Sequence, residues 1–405
     1  MAGIKNTAIQ VGDTALTLAK LVLTLNFVKL RRLLKVNTLF DEANIVGNFS
    51  GMRELFFNAP MAVRSDTPSS LPASPRNMPA EFVFRGKTTA FADWLEQRKV
   101  TAMVVLKNGE LAHEDYFRDT SPKDLRISWS MAKSFLSACF GIAVGEGLLN
   151  SLDEPVTNHV PRLKNTTYDG CPVRDVLNMA SGVDFNEDYL DYNSDINRMG
   201  RALALGRSMD DFAGSLKHRA RAPGTRRKYV SIDTHVVGMV LRAITGRSAA
   251  DYMAEKLLTP MRLEADPYYL TDGLGVDFVL GGLNLCTRDY ARFGLLFAQG
   301  GRLNNEQIVP ADWVKQSTTS NGLPPAEDIA PDEAALGYGF QWWLPPQATK
   351  GEFFALGIYG QYIYVNQTLK TVVAINSADR DFKEGDGRVT LENLAMFRAI
   401  VAKMA

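Results

Sequence analysis

The stretch Ile127-Ser128-Trp129-Ser130-Met131-Ala132-Lys133-Ser134-Phe135 puts a serine three residues before a lysine, at the head of a long apolar run. That run continues through Leu136, Cys139, Phe140, Ile142, Ala143 and Val144 to Glu146-Gly147. The pattern predicts one helix closed by a C-terminal glycine, with Ser130 in its first turn. Residues three apart on a helix are neighbours, so the Ser130 hydroxyl and the Lys133 amine share a face. The helix start offers unpaired backbone N–H groups and positive partial charge, where an oxyanion is stabilised. The plainer reading is that Ser130 caps a core helix and Lys133 is solvated. S-x-x-K is a weak signal alone, although it occurs once in this chain. Its weight depends on the rest of the sequence.

Just upstream, residues 103–114 hold two β-prone runs around Asn108-Gly109, a strong hairpin signal. Residues 88–98, with Phe91, Trp94 and Leu95, read as a short amphipathic helix. Residues 65–80 (SDTPSSLPASPRNMPA) read as an extended connector, and residues 1–64 as an N-terminal extension. Downstream, residues 148–288 read as helical segments and polar loops. Candidate helices are 173–179, 209–212, 234–245 and 249–258. Strand character returns at residues 338–343, 362–366 and 371–376, followed by a helix over 391–404.

The simplest assembly is an α/β fold. The two ends pair in one antiparallel sheet flanked by helices (81–147 and 289–405), with an all-helical lobe (148–288) inserted between them. A cleft between lobes is the expected place for a small-molecule site.

The 405 residues balance 45 basic against 45 acidic side chains, so no global field favours nucleic acid. Three scattered cysteines (Cys139, Cys171, Cys286) make neither a disulfide framework nor a zinc site. Residues 16–34 are apolar but broken by Lys20 and Asn26, and their basic cluster lies on the C-terminal side. A cytoplasmic protein is the expectation. Weak membrane contact through residues 15–36, or a membrane-associated or periplasmic location, is the alternative.

Two further groups carry chemistry. In Ala222-Pro223-Gly224-Thr225-Arg226-Arg227-Lys228-Tyr229-Val230-Ser231, Pro-Gly forces a turn and delivers Tyr229 at a loop-to-helix junction. A phenol there packs or transfers protons, and it ionises near neutrality only beside cations such as a lysine ammonium. In Ala355-Leu356-Gly357-Ile358-Tyr359-Gly360-Gln361-Tyr362, two glycines around a β-run allow close backbone approach. An N–H there serves either a simple turn or a second oxyanion donor. His113 and His235 have no partners that suggest a triad. H-E-x-x-H, G-x-S-x-G and Walker-type loops are absent. The parts suffice without metal or cofactor.

The three groups in this order resemble the serine β-lactamase and penicillin-binding-protein superfamily, which is read by S-x-x-K, then S-D-N or Y-x-N, then K-T-G or a variant. Within it the resemblance is to the class C-like branch of esterases, D-aminopeptidases and 6-aminohexanoate-dimer hydrolases. Further matches are residues 173–183, Pro223-Gly224-Thr225, Gly281-Gly282, Thr287-Arg288-Asp289 and Arg292-Phe293-Gly294. The resemblance runs from about residue 80 to the C-terminus. It implies a β-lactamase/transpeptidase-like fold and a serine hydrolase cleaving a small amide or ester.

Residue by residue, it implies Ser130 as the acylated nucleophile, Lys133 as the proton acceptor and Tyr229 as the proton shuttle. The backbone N–H groups of Ser130 and Ile358 form the implied oxyanion pair. Tyr189 is the implied substrate-contacting tyrosine, with Ser231, Asn284, Trp342 and Tyr359 as further cleft residues. Two departures stand out. Ser231 replaces the asparagine of Y-x-N, and Ala355-Leu356-Gly357 replaces K-T-G, so no cation is supplied there for a β-lactam carboxylate. The basic run Lys217 to Lys228 either supplies one or is a solvated loop. The alternatives are a β-lactamase or D,D-peptidase, and a non-catalytic penicillin-recognising module.

Overall fold

The computed structural model describes Arg32 and residues 35–405. Its centre is a seven-stranded antiparallel sheet, built from β1 (Val100–Lys107), β2 (Glu110–Tyr116), β3 (Gly337–Tyr338), β4 (Trp343–Leu344), β5 (Glu352–Gly357), β6 (Gln361–Asn366) and β7 (Thr371–Ser377). The spatial order is β3-β4-β5-β6-β7-β1-β2. The join between the two ends of the chain is β7 against β1, with Ala374 opposite Val104 and Val372 opposite Leu106. Asn108 and Gly109 both take positive φ, as the two-residue hairpin between β1 and β2 requires.

The middle strands are buried on both faces, so their sequences read as continuous apolar runs rather than alternation. The period of two still sorts their side chains. Met103, Val105, Val373 and Ile375 face the C-terminal helix α4 (Arg388–Met404) through Leu394, Phe397 and Ile400. Val104, Leu106, Val372 and Ala374 face the opposite core. That core is shared by α1 (Ala132–Gly145), α2 (Ser231–Thr245) and α3 (Thr287–Ala298). α3 lies flat on the sheet because Gly294 has no side chain. A Cβ there would meet Val372 Cγ1 at 2.4 Å.

The insert between α1 and α3 carries short helices around α2. Three of them, Asp195–Ala204, Met209–Ser215 and Ala249–Met253, are capped by Ser194, Ser208 and Ser248, each accepting a backbone N–H three residues on. The insert is not purely helical at its C-terminal end. Tyr268–Thr271 and Leu283–Leu285 form a second sheet with Phe57–Pro60 and Arg126–Ile127. These strands are two to four residues long, too short for the hydrophobic pattern to reveal.

Residues 1–64 read as an N-terminal extension, and its residues Leu39, Ile45, Phe49, Met52 and Leu55 are buried in the core. The connector over residues 65–80 is extended but tied down. The Ser69 hydroxyl donates to the Met261 carbonyl at 2.7 Å, and Arg292 donates to the Ser69 carbonyl at 2.8 and 2.9 Å. Further along, Pro72 and Ser74 exchange backbone hydrogen bonds with Leu111 on the edge strand β2. The apolar stretch over residues 16–34 lies outside the described residues except for Arg32. Among the described residues no helix is long and apolar enough to cross a membrane.

Candidate active site

The strand Arg126–Ile127 runs into a 3-10 turn, Trp129–Met131, which feeds directly into α1. Ser130 therefore sits one turn ahead of the α-helix proper, and Lys133 in the helix's first turn. The entry is tight: Ser128 N–H donates to the Leu283 carbonyl at 2.8 Å, and Trp129 takes φ of +43°. A non-glycine residue in that region costs about 1–3 kcal/mol, which its surroundings must hold in place.

Lys133 is 2 % exposed, and its Nζ lies 2.9 Å from Ser130 Oγ, 2.8 Å from the Leu280 carbonyl and 3.4 Å from Ser231 Oγ. Burial without a directly bound carboxylate pushes its amine down to about 7, and the Glu187 charge opposes that shift. Two of its three partners are acceptors only. The Leu280 carbonyl can only accept. The Ser231 hydroxyl gives its proton to Glu187 Oε1 at 2.5 Å, so towards Lys133 it accepts. As an ammonium it donates to all three; as a neutral amine it satisfies Leu280 and Ser231 with its two N–H groups and keeps its lone pair for the Ser130 O–H.

Tyr229 precedes α2, wedged with Trp343 stacked at 5.3 Å and Tyr338 edge-on at 6.4 Å. Lys133 Nζ lies 5.3 Å from its ring centroid. The phenol faces the hydroxyls of Ser130 and Ser231, which favour its ionisation. Burial first, and the Glu187 charge second, outweigh them and push its pKa far above the usual phenol range. It stays protonated near neutrality.

Ser231, in the first turn of α2, is held by a carboxylate that sequence reasoning did not single out. Glu187 accepts the Ser231 N–H at 2.9 Å, the Ser231 hydroxyl, and the Tyr189 hydroxyl at 2.7 Å. Glu187 lies in the stretch Phe185–Tyr189, but the partner that makes it matter is 44 residues away.

Ile358 reaches the same cleft from the end of β5. A Cβ on Gly357 would sit 2.4 Å from the Ser128 carbonyl oxygen, so only glycine lets this strand end lie against the turn that carries Ser130. Ser130, Glu187, Tyr189, Tyr229, Trp343 and Ile358 are among the residues lining one cleft of about 620 Å³, a size suited to a small-molecule site.

Four expected cleft residues are not part of that lining: Ser231, buried against Lys133 and Glu187, and three placed elsewhere. Trp342 is fully buried between α3 and the sheet, 4.6 Å from Phe297 and 5.1 Å from Phe353. Its neighbour Trp343 lines the cleft instead, because adjacent strand residues point to opposite faces. Asn284 is buried in the second sheet, donating to the Gly282 carbonyl at 2.9 Å, and is not part of the cleft lining. Tyr359 sits in a turn with φ of +62° and is not itself part of the lining; its ring packs among Phe40, Phe49, Trp129 and the cleft-lining Phe382. The basic run is committed internally. Arg219 donates to the Thr167 carbonyl, Arg226 pairs with Glu327 at 2.7 Å, buried Arg227 donates to the Leu336 carbonyl, and Lys228 pairs with Asp328. His235 bonds Asp210 and His113 faces Asp115, both away from the cleft lining. Among the described residues no group of three or more His, Cys, Asp or Glu side chains is arranged to hold a metal ion.

The Beta-lactamase family model matches residues 90–395. The chain belongs to the Beta-lactamase family. Family membership makes it a serine hydrolase. It is 27 % identical over 290 residues to the 6-aminohexanoate-dimer hydrolase of Paenarthrobacter ureafaciens, covering 69 % of this chain and 72 % of that protein. Its fold is similar to that of a Bacillus anthracis structure assigned as a 6-aminohexanoate-dimer hydrolase, with TM-score 0.79 and 23 % identity. That match covers 90 % of this chain and 95 % of the other. A family VIII carboxylesterase shares the fold at TM-score 0.58 and 16 % identity, covering 77 % of this chain and 95 % of the other. The family match begins at residue 90, so the buried segment around Phe40 and Phe49 lies upstream of it.

Proposed function

We propose that this family member cleaves a small linear amide or ester through an acyl-enzyme on Ser130. The observation that carries the reading is the buried Lys133 amine 2.9 Å from the Ser130 hydroxyl, which burial pulls down to about 7, so that about half of it is neutral at pH 7 with a lone pair for that hydroxyl. A serine hydroxyl is a poor nucleophile until a base takes its proton. Here Lys133 takes it while Ser130 Oγ bonds to the substrate carbonyl carbon. The resulting oxyanion is held by the backbone N–H groups of Ser130 and Ile358, a donor being worth ~3–4 kcal/mol of barrier.

As the tetrahedral species collapses, the bond to the leaving nitrogen or oxygen breaks. That atom takes the Tyr229 proton, and the Lys133 ammonium returns one to the phenolate. Water then attacks the acyl carbonyl while neutral Lys133 takes its proton, and as the bond to Ser130 Oγ breaks that oxygen takes the proton back from the Lys133 ammonium, releasing the carboxylic acid. Positioned acid–base groups of this kind contribute ~10²–10⁴ in rate.

The cleft supports neutral or amine-bearing acyl groups over a β-lactam carboxylate. Leu356 lines it where a cation would be needed, and the two lysines of the lining, Lys228 and Lys383, are paired with Asp328 and Glu333. The P. ureafaciens relative points to linear amides of ω-amino acids as the first substrates to try. The test is turnover of short-chain nitrophenyl esters and of 6-aminohexanoate dimer by wild type and Ser130→Ala, with intact-mass analysis after a serine-directed phosphonate. The expected result is a single adduct on Ser130 and no turnover by the variant. Unchanged turnover by Ser130→Ala would overturn the reading.

A further inference from the structure

The two turns that present Ser130 and Ile358 to the cleft are each shaped by a neighbouring aromatic residue in left-handed backbone, Trp129 at φ +43° and Tyr359 at φ +62°. Neither residue is a glycine, so neither conformation is favoured by its own chain. Their rings meet 6.2 Å apart, and the Tyr359 ring also contacts Phe382 of the cleft lining at 4.7 Å.

Two rings from the N-terminal segment close that pair into a cluster. Phe40 stacks on Tyr359 at 4.8 Å and 16°, and lies 5.8 Å from Trp129. Phe49, on the helix Ile45–Ser50, meets Trp129 at 5.6 Å and 70° and Tyr359 at 5.4 Å and 69°. Phe40 and Phe49 contact each other edge-on at 6.3 Å. Both therefore touch the residue before one proposed oxyanion donor and the residue after the other. Packed aromatic pairs prefer such stacked and edge geometries, so the cluster resists rotation of either turn.

We propose that Phe40 and Phe49 are positioning residues. They brace Trp129 and Tyr359, and so hold the spacing between the N–H groups of Ser130 and Ile358. The segment sequence reasoning sets outside the catalytic body becomes part of what shapes its oxyanion site. This inference rests on the acyl-enzyme reading above.

The experiment uses the full chain and compares Phe40→Ala, Phe49→Ala, the ring-retaining Phe40→Tyr, and Met52→Ala. Met52 is fully buried in the same segment but contributes no ring. Each is assayed for kcat and KM on a nitrophenyl ester, for Tm, and for inhibition by a boronic acid that mimics the tetrahedral adduct. The expected result is that Phe40→Ala and Phe49→Ala lower kcat about tenfold or more, with KM nearly unchanged and boronate affinity falling in step, since small misplacements of reacting groups cost rate steeply. Phe40→Tyr should keep most of the activity, and Met52→Ala should lose Tm but not kcat. Wild-type kcat in Phe40→Ala, or a kcat loss in Met52→Ala that tracks Tm as it does in the phenylalanine variants, overturns the brace while Ser130→Ala remains inactive. Turnover surviving in Ser130→Ala would overturn the acyl-enzyme reading itself.

Discussion

The Lys133 amine lies 2.9 Å from the Ser130 hydroxyl and is sealed from water by the Leu280 carbonyl and the first turn of α2. A lysine in solution is protonated throughout the neutral range and cannot accept a proton. Removing its water reverses that, because burial penalises the charged form. The placement of one amine thus links the packing of α1 against α2 to the chemistry in the cleft.

The first prediction is a pH profile. The base works only when neutral, so kcat/KM on an uncharged ester should rise as pH increases through about 7 and then level off. Glu187 holds the lysine up through its charge, and in Glu187→Gln the rise should therefore move to lower pH. A profile that rises instead near the ordinary lysine range, or that stays put in Glu187→Gln, would contradict this account.

The second concerns Tyr229, whose phenol is held protonated by burial and by Glu187. In the proposed mechanism it donates to the leaving group, and a nitrophenolate needs no proton to depart. Tyr229→Phe should therefore slow amide cleavage by ~10²-fold or more while affecting acylation by nitrophenyl esters much less. Single-turnover kinetics on the two substrates separates these outcomes. Equal losses on both would make the phenol a base or a packing residue.

The third is steric. Gly357→Ala places a Cβ 2.4 Å from the Ser128 carbonyl, a backbone atom that cannot rotate aside. Either β5 or the nucleophile turn must shift, which separates Ile358 from Ser130. The expected result is a loss of kcat of ~10²-fold, since an oxyanion donor moves out of place, with phosphonate labelling of Ser130 slowed in parallel. Activity at wild-type level would mean that the strand end contributes nothing to catalysis.

What could be read in advance follows the range of each interaction along the chain. Ser130 and Lys133 are one helical turn apart, so their contact is written in the spacing. Asn108-Gly109 sets its own turn, and the apolar runs of β1 and β7 are continuous because helices cover both faces. Trp342 and Trp343 are equally aromatic, and only the strand's phase in three dimensions sends one to the core and the other to Tyr229. Glu187 acquires its role from Ser231, and Phe40 from Tyr359, across separations that no local pattern encodes. The second sheet stayed hidden because its strands pair residues 57–60 with 268–271, each strand being too short for periodicity to register.

The last prediction is for stability, beneath the site. Asp233, buried on α2, accepts hydrogen bonds from Tyr168 at 2.8 Å and Ser181 at 2.7 Å, both on Oδ1, and Oδ2 has no partner among the described residues. Burial pushes its carboxyl from the ordinary 3.8 up to about 7, against those hydrogen bonds. Between these values the folded protein keeps a proton that the unfolded chain has lost, so stability falls as pH rises across that window. Asp233→Asn keeps an acceptor for Tyr168 and Ser181 but cannot ionise. Relative to the variant, the wild type should thus lose Tm steadily from about pH 4 to about pH 7 and change little above it. Urea midpoints at matched pH values check the same difference at constant temperature. Parallel curves for the two proteins would show that Asp233 is ionised in the fold at every pH tested.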